Sequence, residues 1–330
     1  MWCSDATPSC AAPGAPRMRT EPAGGTIPAT KQQAGVPRAA YWLAMLPPLF
    51  WSGNFLIARL MREAIPPVQM SFWRWSLALL ILVPFCWRPI ASSWPRIRSN
   101  LPFLALLGAI GVTAFNCFVY AALRYTPVAN AALVNSLLPV VTFTLAYLIL
   151  KQGLTQRQFA GIALSLCGAV LVICRGDPRM LLSVALNRGD ILVFAGMSCW
   201  ALYTVLIRWR PAGLPPMAFL GMTVFFGVLF HLPAVAWEYA AQGGFRLTMA
   251  TAGALIYFAV FPSILAYIFW NRSVTALGPG RTGMFMHLLP PTSAVLGFIV
   301  LGEQIAWFHF AGFAIIVLGI WLVTSAPRKA

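Results

Sequence analysis

A few side chains in this sequence can do chemistry, and nearly all of them lie inside long apolar runs. His287 stands one turn before Pro290, and 151 positions earlier Ser136 stands one turn before Pro139. A proline within a helix has no amide hydrogen, so it frees the carbonyl four residues upstream, here those of Asn135 and Met286. Such carbonyls are tolerated at membrane depth where they line a cavity, and a histidine beside them adds a donor and an acceptor. Asn54, Trp200 and Tyr203 form a second group, and Asn116, Tyr120 and Tyr267 a third. Their amides, phenols and indole hold a polar solute by hydrogen bonds; none of them breaks a bond unaided. Arg74, between Trp73 and Trp75, lies about 10 Å into its apolar run at 1.5 Å per residue. It reads as an arginine that snorkels or caps backbone carbonyls, with binding of an anionic group as the alternative.

The residues for covalent chemistry are missing. The sequence has no paired acids, no H-E-x-x-H, no G-x-S-x-G nucleophile turn and no G-x-x-x-x-G-K-[ST] phosphate loop. "GPGRTG" at 278–283 fits G-x-G-x-x-G, but no strand precedes it, so it reads as a tight turn into a helix. Cys86, Cys117, Cys167, Cys174 and Cys199 are isolated, with no Cys/His ligand spacing, so no metal and no cofactor is expected. The apolar runs hold no Asp or Glu except Asp190 and Glu303 at their rims, which leaves no carboxylate relay for protons.

What positions these groups follows from composition. The chain is 60% hydrophobic and only 9% charged, against roughly 25% charged in a soluble domain. Ten apolar runs, near 39–58, 67–87, 101–122, 128–150, 157–174, 190–207, 216–236, 250–270, 282–301 and 306–325, are each long enough to cross about 30 Å of hydrocarbon as a helix. The fifth, at 18 residues, is among the two shortest. The first 38 residues are rich in Pro, Ala, Gly, Ser and Thr and read as a disordered tail. The net charge of +16 does not point to nucleic acid, because the basic residues are scattered through the connections. With the amino terminus in the cytoplasm, cytoplasmic segments hold 15 of the 23 Lys and Arg and the far side holds 7. That asymmetry predicts both termini inside, in the plasma (inner) membrane.

The chain also repeats itself. Between 137–172 and 288–323, 12 of 36 positions are identical without a gap. A shift of 149 pairs Trp51 with Trp200, Arg59 with Arg208 and Pro66-Pro67 with Pro215-Pro216. Residues 39–174 and 190–325 are therefore two copies of a five-span unit, joined by 175–189 and followed by a basic tail at 326–330. An odd number of crossings inserts the second copy upside down, the inverted-repeat arrangement of many transporters. The expected fold is an all-α membrane protein of ten transmembrane helices. Its expected site is a central cavity between the repeats, lined by Asn54, Asn116, Tyr120, Asn135, Trp200, Tyr203, Tyr267 and His287, with kinks at Pro139 and Pro290. Gly161, Gly168, Gly312 and Gly319 are expected to be close-packing positions.

"LFWSGNFLIARL" at 49–60, "PPVQMSFWRWSLALL" at 66–80 and the proline-bearing fourth and ninth runs resemble the EamA-type transporters of the drug/metabolite transporter superfamily. The resemblance covers about residues 42–325. It implies ten transmembrane helices and export or exchange of amino acids or other small metabolites. One departure is visible: the family's Gly-Glu after the ninth span is present as Gly302-Glu303, but the fourth span ends in Lys151-Gln152. The expected partners are a small-molecule metabolite and the bilayer, with a homodimer allowed. Without buried acids the chain should work as a facilitator or exchanger, or couple protons through histidine alone. The contrasting reading is a membrane-embedded sensor or assembly partner without transport.

Overall fold

Prolines and capping boxes mark where the helices begin. α2 (Pro67–Ser92) and α7 (Pro216–Gln242) both start on a proline that follows a proline with φ −57° and ψ 140°. At the first helical position the missing amide hydrogen has no intrahelical partner to lose. Thr155 with Gln158 opens α5 (Gln156–Ile173), and Asn187 with Asp190 opens α6 (Arg188–Trp209), each pair closing a reciprocal capping box. The remaining spans are α1 (Arg38–Met61), α3 (Leu101–Val119), α4 (Asn130–Leu150), α8 (Met249–Leu277), α9 (Pro279–Leu301) and α10 (Trp307–Ser325). The computed structural model describes residues 38–122, 125–182 and 186–326. The proposed amino-terminal tail, but for residue 38, and the basic end beyond residue 326 lie outside them.

Among the described residues nine of these helices, α2 to α10, have mean hydropathies of 1.5–2.0 and suit a membrane by length and composition. The tenth, α1, is long enough at 24 residues but less apolar, since it carries Pro47, Pro48, Ser52 and Asn54. The fifth run is one continuous helix of 18 residues. The seventh extends past the expected boundary at 236 and takes in Glu238. The spans therefore do contain an acid away from the two rims anticipated. Glu238 is fully buried and accepts from the amides of Val68 (3.3 Å) and Gln69 (2.7 Å), so its charge sits on the open, positive end of α2.

The two copies do not pack side by side. α1 of the first lies against α8 and α9 of the second, and α6 of the second lies against α3 and α4 of the first. α2 meets its own counterpart α7, and α5 meets α10. Each of these contacts has its mate under an exchange of halves, as a two-fold axis in the membrane plane requires. The α5–α10 crossing shows why small residues are needed there. A Cβ at Gly161 would come within 2.7 Å of the Gly319 carbonyl oxygen, and one at Gly168 within 2.8 Å of the Gly312 carbonyl oxygen. Since lipid is as apolar as leucine, such backbone contact is what holds membrane helices together.

Helical regularity breaks at equivalent places. α3 and α8 each contain a π-helical turn, Ala109–Ala114 and Ala259–Leu265. α4 is interrupted after Asn135 and resumes at Leu138, and α9 passes through a 3₁₀ turn at Phe285–Leu288. Pro139 and Pro290 thus occupy the first turn of the resumed helix. Gly278, φ 91°, makes the "GPGRTG" segment a turn into α9.

Candidate functional site

The π-helical turns expose carbonyls to the centre of the protein, because a wide turn leaves backbone acceptors out of the regular ladder. Gly111 and Pro262 are 151 positions apart and do the same job in the two halves. The Gly111 carbonyl accepts from the Tyr267 hydroxyl at 2.6 Å, and the Pro262 carbonyl accepts from the Trp51 indole at 3.0 Å. Around these bonds lies an aromatic cluster. Trp200 stands 5.3 Å from Trp51, 5.3 Å from Tyr203, 5.2 Å from Tyr267 and 5.7 Å from Trp270, measured between ring centroids. Trp75 meets Tyr267 edge-on at 4.8 Å. Polar tips are tied off at the edge: Tyr203 donates to Asn271 Oδ1 (3.0 Å) and Trp270 to Thr204 Oγ1 (3.1 Å).

A polar group adjoins this cluster through Trp75. The Arg74 guanidinium lies 5.2 Å from the Trp75 ring centroid and donates to Asn54 Oδ1 (3.0 Å) and Asn116 Oδ1 (3.1 Å). Asn116 in turn donates through Nδ2 to the Val112 carbonyl at 2.6 Å, which turns its oxygen toward the arginine. Arg74 is buried and bonded to two side-chain amides, so it neither snorkels nor caps backbone carbonyls. The expectation failed because the sequence cannot show that α1 and α3 place an asparagine on either side of α2.

The residues expected to share a cavity therefore fall into three groups. Trp200, Tyr203 and Tyr267 are brought together, and Asn54 and Asn116 meet at Arg74. His287 is elsewhere, with α4 and α5. Its Nε2 lies 2.8 Å from the Ser136 carbonyl, and since a carbonyl only accepts, Nε2 carries the hydrogen. Nδ1 then accepts from the Ser165 hydroxyl at 2.6 Å. The carbonyl used at the helix break is Ser136's, one residue beyond the expected Asn135; that of Met286 takes the Leu289 amide within the 3₁₀ turn. Asn135 ends the first segment of α4 and is half-buried. The side chain of Tyr120 lies outside the described residues. His231 is likewise saturated, donating from Nδ1 to the Gly227 carbonyl (3.0 Å) and accepting at Nε2 from Ser71 (3.1 Å).

Sequence reasoning passed over Trp51, Trp75 and Trp270. For Trp51 a signal existed, since it is the repeat mate of Trp200. At one rim Arg59 on α1 reaches Glu303, just past α9, at 2.9 Å. Among the described residues no group of three His, Cys, Asp or Glu is arranged to hold a metal ion.

A family model, that of the EamA-like transporters, matches residues 38–174 and again 187–325. The chain belongs to the EamA-like transporter family. The two matched segments put one family unit on each five-helix copy. Among relatives, the chain is 28% identical to an uncharacterized transporter, YyaM, of Bacillus subtilis, over 85% of this chain and 92% of that one. It is 25% identical to a probable terminal-alkyne amino-acid exporter of Streptantibioticus cattleyicolor, over 86% and 93%. It is 23% identical to a probable amino-acid metabolite efflux pump of Salmonella typhimurium, over 85% and 93%. A solved crystal structure shares the fold with a TM-score of 0.69 at 19% identity, covering 87% of this chain and 97% of that one. The EamA-like chain described here is thus a multi-pass membrane transporter.

Proposed function

We propose that this EamA-like chain is a secondary transporter that exports or exchanges small metabolites, amino acids among them, by alternating access between its inverted repeats. One observation carries the reading: the aromatic cluster and the Arg74 group lie where α1, α2 and α3 of one repeat meet α6 and α8 of the other. A solute bound there touches both halves, so rocking one against the other changes the side to which it is exposed. The relatives named for amino-acid export support the substrate class. His231 and His287 use both ring nitrogens within the protein, which favours a facilitator or exchanger over histidine-driven proton coupling. The charge asymmetry of the connections supports an inner-membrane protein with both termini in the cytoplasm.

The test is uptake of a panel of labelled amino acids into proteoliposomes, with and without an imposed pH gradient. Transport above empty vesicles is expected, and counter-substrate inside the vesicle should accelerate it more than the gradient does. Tyr203→Ala should cut the rate about tenfold or more while protein yield stays near normal, since each lost substrate contact costs on the order of 1–3 kcal/mol. A panel without a single transported amino acid would sink the reading.

A further inference from the structure

We propose that the solutes taken at this site carry a carboxylate, and that Arg74 receives it. This rests on the transport reading above and adds a chemical class to it. Arg74 is only 6% exposed and lies about 10 Å along α2 from its first residue. A cation at that depth is costly unless something answers its charge. Among the described residues no acid pairs with it. The ion pairs among the described residues, Arg59–Glu303 and Arg62–Glu63, are both exposed, and Glu238 is engaged by the amides of Val68 and Gln69. Asn54 and Asn116 hold the guanidinium by its two terminal nitrogens with neutral oxygens, which fixes the fork without cancelling it. An aspartate at either place would neutralise the site for good.

The unpartnered groups point the same way. Arg74 Nε, Trp75 Nε1 and Trp200 Nε1 are all buried without a hydrogen-bond partner. Trp75 touches the arginine, and Trp200 is joined to Trp75 through Tyr267. Three idle donors on connected side chains, one of them charged, call for a ligand rich in acceptor oxygens. A carboxylate supplies two, and a guanidinium binds it through parallel N–H···O bonds. The neighbouring rings of Tyr267, Trp200 and Tyr203 make the wall for the rest of the molecule. The second repeat has no second cation to offer: the positions equivalent to Arg74, Asn54 and Asn116 are Thr223, Tyr203 and Tyr267. The site is therefore charged at one end only, and a solute with one acidic end and an apolar body enters it in a single orientation.

The experiment titrates the purified full chain in detergent with 3-phenylpropionate, L-phenylalanine and phenethylamine. Binding is read from tryptophan fluorescence and from the rise in unfolding temperature. Both carboxylates should bind and the amine, which lacks the acid, should bind at least about tenfold more weakly. Arg74→Gln should weaken both acids by about 10- to 100-fold, the range for a lost charge-assisted pair. Arg74→Lys should fall in between, because it keeps the charge and loses the fork. Equal binding of amine and acids by the parent protein overturns the proposal, and that arm needs no variant to fold. So does undiminished acid binding by Arg74→Gln, or no binding of either acid up to about 10 mM. If the acids bind through Arg74 and no amino acid crosses a vesicle, the transport reading fails and this one stands. If amino acids cross equally well with Arg74→Gln, the reverse holds.

Discussion

At one rim of the protein Arg59 on α1 and Glu303 beyond α9 form an ion pair at 2.9 Å. The equivalent residues at the other rim are Arg208 and Gln152, and there Arg208 donates to the Thr275 carbonyl at 3.1 Å. The backbone beneath is the same in both places. Lys151 closes α4 at φ 55° and Gly302 closes α9 at φ 68°, both left-handed helix caps. Glycine takes that conformation freely, whereas for a lysine it costs on the order of 1 kcal/mol. The centre repeats the contrast, with Arg74, Asn54 and Asn116 in one half against Thr223, Tyr203 and Tyr267 in the other. Duplication has preserved the framework through which the halves exchange places, while side chains at mated positions have diverged. A transporter whose halves were chemically alike would hold its solute in either sense and favour neither side. Here one rim carries an ionic contact that the other lacks, and under the alternating access proposed above that difference would set the states open to opposite sides apart in energy.

Where the halves remain alike, equivalent substitutions should act alike. Gly168→Leu and Gly319→Leu each drive a side chain into the α5–α10 crossing, and each should lower stability by about 3 kcal/mol or more. Unfolding of the purified protein in detergent measures both, and losses differing by more than about twofold would break the symmetry argument. Where the halves differ, mates should part company. His287→Leu leaves the Ser165 hydroxyl and the Ser136 carbonyl buried without their partner, a loss of about 2–4 kcal/mol. Ser136→Ala removes only a hydroxyl turned back on the Leu133 carbonyl, and should cost under about 1 kcal/mol in the same assay. Similar losses at the two mates would mean that His287 is not a helix bridge. The smallest effect belongs to the rim. Glu303→Gln breaks an ion pair whose side chains are 64% and 47% exposed, so it should shift the balance between states by less than about 1 kcal/mol. A cysteine placed at Leu60 should then react with thiol reagents up to about fivefold faster, and high salt should give the same increase in the parent. Unchanged labelling would leave the pair without a role in closing that rim.

The framework was legible because membrane spans announce themselves by length and the repeat fixes their pairing. Prolines 139 and 290 marked both helix breaks, and the glycines of α5 and α10 marked the crossing. The site was legible only in part. Trp200, Tyr203 and Tyr267 were found as scarce polar aromatics near mid-span, but Trp51, Trp75 and Trp270 were not. In a soluble helix the polar face shows which way an aromatic points; in lipid a helix can be apolar all round, and the phase is lost. The π-helical turns in α3 and α8 shift that phase again by an inserted residue, and nothing in the sequence flags them. Arg74 was misjudged for a related reason: its partners come from helices on either side, and a lone charge in an apolar run says nothing of its neighbours.

The exchange of α1 and α6 between halves has a consequence for how the chain is born. α6 leaves the ribosome with α3 and α4 already made, so its partners await it. α1 has no such company. The Trp51 indole must reach the Pro262 carbonyl, 211 residues further on, and at 5–20 residues per second that acceptor is synthesised roughly 10–40 s later. In the interval α1, the least apolar of the ten spans, has Arg74 of α2 for its Asn54, but its Trp51 indole waits without its acceptor and its Ser52 without the Thr292 hydroxyl 240 residues on. Of the ten spans, the first to be made is thus among the last to be seated.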